Sequence, residues 1–166
     1  MAVTLTPQAM AQQWAGAGSR LEVNLFNFGT LAGEAARSVF LKSFELHRFN
    51  SAGAAPWPAH KRRPAVPHDL LDETGALKDS IKYKIGGLEV GAYGATVYTD
   101  PSEFKREARN KDGKCFAAIH NEGGRDTAKP GSPASYIPER RFIGHSTILK
   151  DKLDSLVANI FDGLPK

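Results

Sequence analysis

Cysteine is nearly absent: Cys115 stands alone among 166 residues, so no internal disulfide can form and packing must hold the fold together. Nothing beside Cys115 marks an activated thiolate, and a half-buried strand cysteine is the expectation. Long apolar runs are also missing. The longest helix-like segment is broken by Glu34, Arg37, Lys42 and Glu45, far short of the roughly 18 apolar residues of a membrane span. Met1 to Met10 lacks the basic start and apolar run of a signal peptide, so a soluble protein made in a reducing cytoplasm is expected, with no membrane partner. The glycines do not build a phosphate loop: Gly16, Gly18 and the pairs at 86–87 and 123–124 lack its spacing and any following Lys-Ser/Thr. Five scattered histidines, at 47, 60, 68, 120 and 145, give no zinc spacing. No nucleophile, base and orienting group stand together, so no catalytic residue, cofactor or metal is assigned and the chain is not read as an enzyme. His120 and Glu122, two apart and with His145 as a distant partner, form the one conceivable hydrolytic pair; a boundary histidine is the plainer reading.

What is present is ordinary for a globular protein: 41% hydrophobic residues, 24% charged and a net charge of +4. The length suits one domain covering 1–166. A mild basic excess permits contact with DNA or an acidic protein without requiring either. Thr6-Pro7 is a helix start, a hydroxyl cap followed by a proline at the first helical position, and the helix should give out in Ala15-Gly16-Ala17-Gly18. From Ser19 to about Phe49, Leu21, Leu25, Phe28, Ala32, Ala35 and Val39 recur at helical spacing, with Phe40, Phe44 and His47 as an adjacent row. So wide an apolar face expects cover on more than one side. Gly29 and Gly33 either kink this helix or admit a close neighbour.

Residues 50–68 read as an extended arm, because Pro56, Pro58, Pro64 and Pro67 suit neither a helix nor a central strand. Lys61, Arg62 and Arg63 give that arm the densest positive charge in the chain. Gly75 suits a turn with positive φ, with Leu77 and Ile81 on one side of the step into a strand. Ile81 to Ile85 alternates as a half-buried strand, Gly86-Gly87 signals a hairpin, and Leu88, Val90, Ala92 and Ala95 to Tyr98 form its return. Residues 100–114 form a charged loop carrying Lys105, Arg106 and Arg109. Cys115 to His120 is a short apolar strand or helical turn, and Arg125 to Ala134 a second loop. Leu149, Leu153, Leu156 and Ile160 place an amphipathic helix over Thr147 to Phe161, capped by Ser146 and ended by Asp162-Gly163. Helices segregated from three or four strands predict an α+β fold, with a long N-terminal helix and a C-terminal helix packed on a small antiparallel sheet with long loops.

Three blocks in order are more specific than any alone. They are Phe49-Asn50-Ser51-Ala52-Gly53 with Trp57-Pro58; Leu70 through Ile81 around Thr74-Gly75-Ala76-Leu77; and Phe116 through Gly124, followed by Ile137-Pro138-Glu139-Arg140-Arg141-Phe142-Ile143-Gly144. Over roughly residues 40–162 this order resembles the virion morphogenesis, or tail-completion, proteins of Mu-like tailed phages, and more distantly the small neck and head–tail joining proteins. Phe116 and Arg140-Arg141-Phe142 depart from that pattern, where Tyr and Arg-Pro-Phe are usual.

The resemblance implies a structural protein of the neck or tail terminus, built into the virion after assembly in the host cytoplasm. It implies a homo-oligomeric ring, a hexamer, that meets connector or neck proteins and the tail tube or tail terminator, with packaged DNA passing through. Trp57, Arg140, Arg141 and Phe142 are then candidate subunit-interface residues, the aromatics as anchors and the arginines as forked donors. Lys61, Arg62, Arg63, Lys105, Arg106 and Arg109 are candidate contacts to DNA or an acidic partner. The alternative is a stand-alone nucleic-acid-binding protein using those same basic segments, marked by steep salt dependence.

Overall fold

Thr6 and Pro7 open the first helix as their chemistry requires: Thr6 Oγ1 accepts from the Ala9 amide, and Pro7 fills the first helical position. In this computed structural model residues 6–59, 69–72, 74–86, 94–103, 116–126 and 135–165 are described. Helix α1 (Pro7–Ala15) is separated from α2 (Ala17–Leu46) by Gly16 alone, an earlier restart than Ser19. His47, in the left-handed region at φ 50, ends α2 two residues before Phe49. Its carbonyl then accepts from the Trp57 amide at 2.7 Å, and Arg48 bridges to Pro56. Residues 48–59 are therefore a packed return stroke along the end of α2 and not an extended arm. The rest of the expected arm, with its basic triplet, lies outside the described residues.

The short helix α3 (Ala76–Asp79) leads into β1 (Ile81–Ile85), which pairs antiparallel with β2 (Ala95–Thr99), Ile81 opposite Thr99 and Ile85 opposite Ala95. Gly75 begins α3 at φ 75, a conformation that glycine adopts without a Cβ penalty, as its sequence position suggests. The hairpin lies along α2. Arg37 Nε donates to the Ile81 carbonyl at 2.8 Å, and the Tyr83 ring rests on Gly33, where an added Cβ would stand 2.3 Å from Cδ2. The helix glycine therefore admits a neighbour, an aromatic ring. Of the expected return strand, Ala95 to Tyr98 is present in β2, whereas Leu88, Val90 and Ala92 lie outside the described residues.

A 3-10 turn (Pro101–Glu103) follows, then α4 (Phe116–Glu122), β3 (Gly124–Asp126), β4 (Ser135–Ile137), α5 (Thr147–Val157) and a terminal 3-10 turn (Ala158–Phe161). One open reading is settled and one expectation changes here. Phe116 to His120, left between strand and helical turn, is helical, with Ala117 and Ile119 buried; Cys115 is outside the described residues. Arg125 belongs to a strand: β3 and β4 form a second antiparallel pair, so the described strands make two two-stranded sheets and not one sheet of three or four. The fold is α+β, a long N-terminal helix and a C-terminal helix with small antiparallel sheets.

Candidate assembly surface

The three sequence blocks converge on one place, and that place is interior. Phe142 is 1% exposed, its ring 5.4 Å from that of Phe44, and Phe44 meets Trp57 edge-on at 5.7 Å. Trp57 is 7% exposed and its indole Nε1 donates to the Arg141 carbonyl at 2.9 Å. Arg140, also 7% exposed, donates from Nε to the Pro58 carbonyl and from Nη2 to the Ala59 carbonyl, and burial lowers its pKa from the ordinary value. These three residues tie segment 140–142 to segment 57–59 within one protomer. As free interface anchors they must be withdrawn, since side chains this enclosed have almost no surface to offer a partner. Arg141 is exposed, and its guanidinium pairs with Glu139 at 2.9 Å.

Two further residues complete this knot. Asn121 Oδ1 accepts from both the Phe142 and Ile143 amides, at 2.9 and 3.0 Å. Ser146 Oγ donates to the Asn50 carbonyl at 2.5 Å and accepts from the Leu149 amide, so the cap of α5 is also its tether to the end of α2. Asn50 in turn donates from Nδ2 to the Val39 carbonyl. An amide side chain three residues after a small apolar pair, as in Ala117-Ala118-Ile119-His120-Asn121, gives no signal of such a role in sequence alone.

Helical geometry also separates the conceivable hydrolytic pair. In a strand His120 and Glu122 would share a face; on α4, residues two apart point to different sides. The His120 ring packs edge-on against Phe116 at 4.4 Å, and its carbonyl accepts from the Arg140 amide. Among the described residues no three His, Cys, Asp or Glu side chains gather as metal ligands. An open groove of about 650 Å³ runs between α2 and Tyr83, but its charges already have partners: Lys42 pairs with Glu45, Arg37 donates to the Ile81 carbonyl, and Glu34 accepts from the Tyr83 hydroxyl.

Lys61, Arg62, Arg63, Lys105, Arg106 and Arg109 all lie outside the described residues. Within them, Lys42, Lys78, Lys82, Arg141 and Lys150 each stand against a carboxylate.

The surface that stands out is apolar. Met10 (49% exposed), Trp14 (55%), Val23 (58%) and Phe26 (54%) project from α1 and the first half of α2. Helix α1 buries no residue, and α2 buries none between Ala17 and Gly29. Of the expected row, Leu21, Leu25, Phe28, Ala32 and Ala35 are only half-buried and Val39 is fully buried, as are Phe40 and Phe44 of the adjacent row; Gly29, Gly33 and Ala36 are buried as well. The sequence reading expected the long helix to need cover on more than one side but did not single out Met10, Trp14, Val23 or Phe26. The signal of this arm is an absence of charge: from Thr6 to Gly33 only Arg20 and Glu22 are ionised.

No described helix is long and apolar enough to cross a membrane. Comparison with protein-family models, with curated proteins and with solved structures found no match to this chain.

Proposed function

We propose that this chain is a structural subunit of a phage neck or tail terminus, acting by assembly into a ring of identical copies that completes the tail and joins it to the head connector. The observation that carries the reading is the bare N-terminal arm, α1 with the first half of α2, whose large apolar side chains find no cover among the described residues. A patch of this kind marks an interaction site in a protein built to dock. The ordered motif blocks that resemble tail-completion proteins supply the virion setting, with connector or neck proteins and the tail tube or terminator as further partners.

The test is the mass of the native species across a range of concentrations, alone and mixed with phage connectors or tails. The expected result is a protomer of 18.0 kDa that assembles with rising concentration or joins the particle, with weak affinity for DNA. A strict monomer that joins neither overturns the reading. Tight DNA binding that falls steeply with salt would favour a nucleic-acid-binding protein instead.

A further inference from the structure

Helix α5 is fixed differently at its two ends, and its root is the secure one. Ser146, 7% exposed, donates from Oγ to the Asn50 carbonyl. Thr147 Oγ1 accepts from the Ala52 amide at 3.0 Å, and Ser51 Oγ accepts from the Thr147 amide at 3.2 Å. Ile148 and Leu149 then pack against the core that holds Phe44, Phe49 and Phe142.

Beyond Lys150 the attachment thins. Neither α5 nor the terminal 3-10 turn buries a residue; Leu153, Leu156 and Ile160 are half-buried where these elements lie along α2. The far end is clipped by Asn24, whose Nδ2 donates to the Ile160 and Asp162 carbonyls at 3.1 and 3.0 Å. The Lys150–Asp154 ion pair closes within the helix and does not tie it to α2. No basic residue in the last turn of α5 meets its carbonyl end. A helix of 11 residues is too short to persist in water once it leaves its support.

The cost of a local opening follows the buried contacts it breaks, so the far end of α5 opens at a lower cost than its root. We infer that the chain from Asp151 through the terminal 3-10 turn is a strap, rooted at Ser146 and clipped at Asn24, that opens as one unit while the core stays closed. Leu21, Leu25 and Phe28 stand three or four apart on α2, and Asn24 falls within that half-buried row. Releasing the clip therefore uncovers Leu21, Leu25 and Phe28. The strap sets how much apolar surface the first half of α2 presents. It is a property of the single chain and stands or falls independently of the assembly reading.

Native-state hydrogen exchange on the full chain, at a concentration where it is monomeric, tests this. Amides from Leu153 to Phe161 should share one level of protection, about a hundred-fold below that of Ala36 to Phe44. Asn24→Ala should lower the strap's protection about ten-fold further, the worth of one or two hydrogen bonds, and leave Ala36 to Phe44 unchanged. Alanine is the better helix former, so that loss would not come from a weakened α2. In a Cys115→Ser background, Leu25→Cys should react with a thiol reagent about ten-fold faster once Asn24→Ala is added, which reads the uncovering itself. Protection that climbs smoothly from Phe161 back to Lys150 is end fraying and overturns the strap. Exchange of strap and core at one rate makes the fold a single unit and does the same. Strap exchange or Leu25→Cys labelling that Asn24→Ala leaves untouched removes the clip, and the inference with it.

Discussion

Between Glu34 and Leu46, α2 buries Ala36, Val39, Phe40, Ser43 and Phe44, whereas between Ala17 and Gly33 it buries only Ala17 and two glycines. Both halves belong to one helix, and both are rich in apolar side chains. The C-terminal half meets the hairpin, the 49–59 return and the 140–146 segment, which surround it and satisfy each other's backbone groups. The N-terminal half has α5 and the last 3-10 turn along one side and bare apolar side chains on the other. A helix apolar around most of its circumference expects burial on all those sides. The C-terminal half obtains it from distant parts of its own chain, and the N-terminal half does not obtain it from the described residues. The residues that carry the family resemblance build the interior, and the residues open to a partner lie where no motif was quoted.

The contrast breaks most easily at Phe142. Phe142→Ala removes a ring that is 1% exposed and packed on Phe44, and should cost about 3–5 kcal/mol. Urea unfolding should show a lower midpoint with an unchanged slope. A cost below 1 kcal/mol would mean that this knot is not the centre of stability. Asn121→Ala should follow, at roughly 2–4 kcal/mol, because two partly buried amides lose their shared acceptor. Asn121→Asp retains that acceptor and should stay within about 1 kcal/mol of wild type; equal losses in both would remove the acceptor role.

Much of this architecture was legible because local chemistry specifies it. Thr6-Pro7, Gly75, the alternation of Ile81 to Ile85 and the Ser146 cap each settle an element on their own. What sequence could not supply was the partner of each apolar residue. Trp57 and Phe142 have the character of interface anchors, yet a tryptophan with its indole satisfied by a carbonyl 84 positions away is an interior residue, and only the tertiary path reveals that carbonyl. The same ambiguity worked in reverse at Trp14 and Phe26, whose helical spacing suits a core but whose surroundings never close over them. The state of Phe116 to His120 was left open between strand and helical turn for a related reason: a short apolar run fits either element, and the tertiary path decides for the helix.

Gly33 sharpens the boundary between the halves. Gly33→Ala places a Cβ 2.3 Å from the Tyr83 ring, so the hairpin must lift or the ring swing out, at about 1–3 kcal/mol. Tyr83→Ala in the same chain should recover part of that loss, as a double-mutant cycle reads it; strictly additive losses would place the strain elsewhere. Beyond this boundary the expected stability effect fades. Trp14→Ala should shift unfolding by no more than about 0.5 kcal/mol, since α1 buries nothing, and a larger loss in a monomer would mean that the arm is covered by its own chain.

The smallest effect is expected where charges close on themselves at the edge of the hairpin. Lys82 Nζ lies 2.9 Å from Asp100 and 2.6 Å from Glu103, while Asp100 also accepts from the Ser102 hydroxyl and amide. The Ser102 hydroxyl, then Lys82, hold the Asp100 carboxyl at about 2, below its ordinary 3.8. Its hydrogen bonds, Glu103 first, push Lys82 above its ordinary range. The carboxylate's contribution is therefore complete above pH 3.8 and lost as pH falls toward about 2, while that of Lys82 is complete below 10.5 and lost only as pH rises through its elevated value. Both groups face solvent, so added salt should weaken the effect. Asp100→Asn should flatten the acid limb of stability, measured as the drop in urea midpoint between pH 5 and pH 2 at low salt. An identical drop in wild type and variant would show that the acid sensitivity of this fold arises at other carboxylates and that the hairpin does not depend on this cluster.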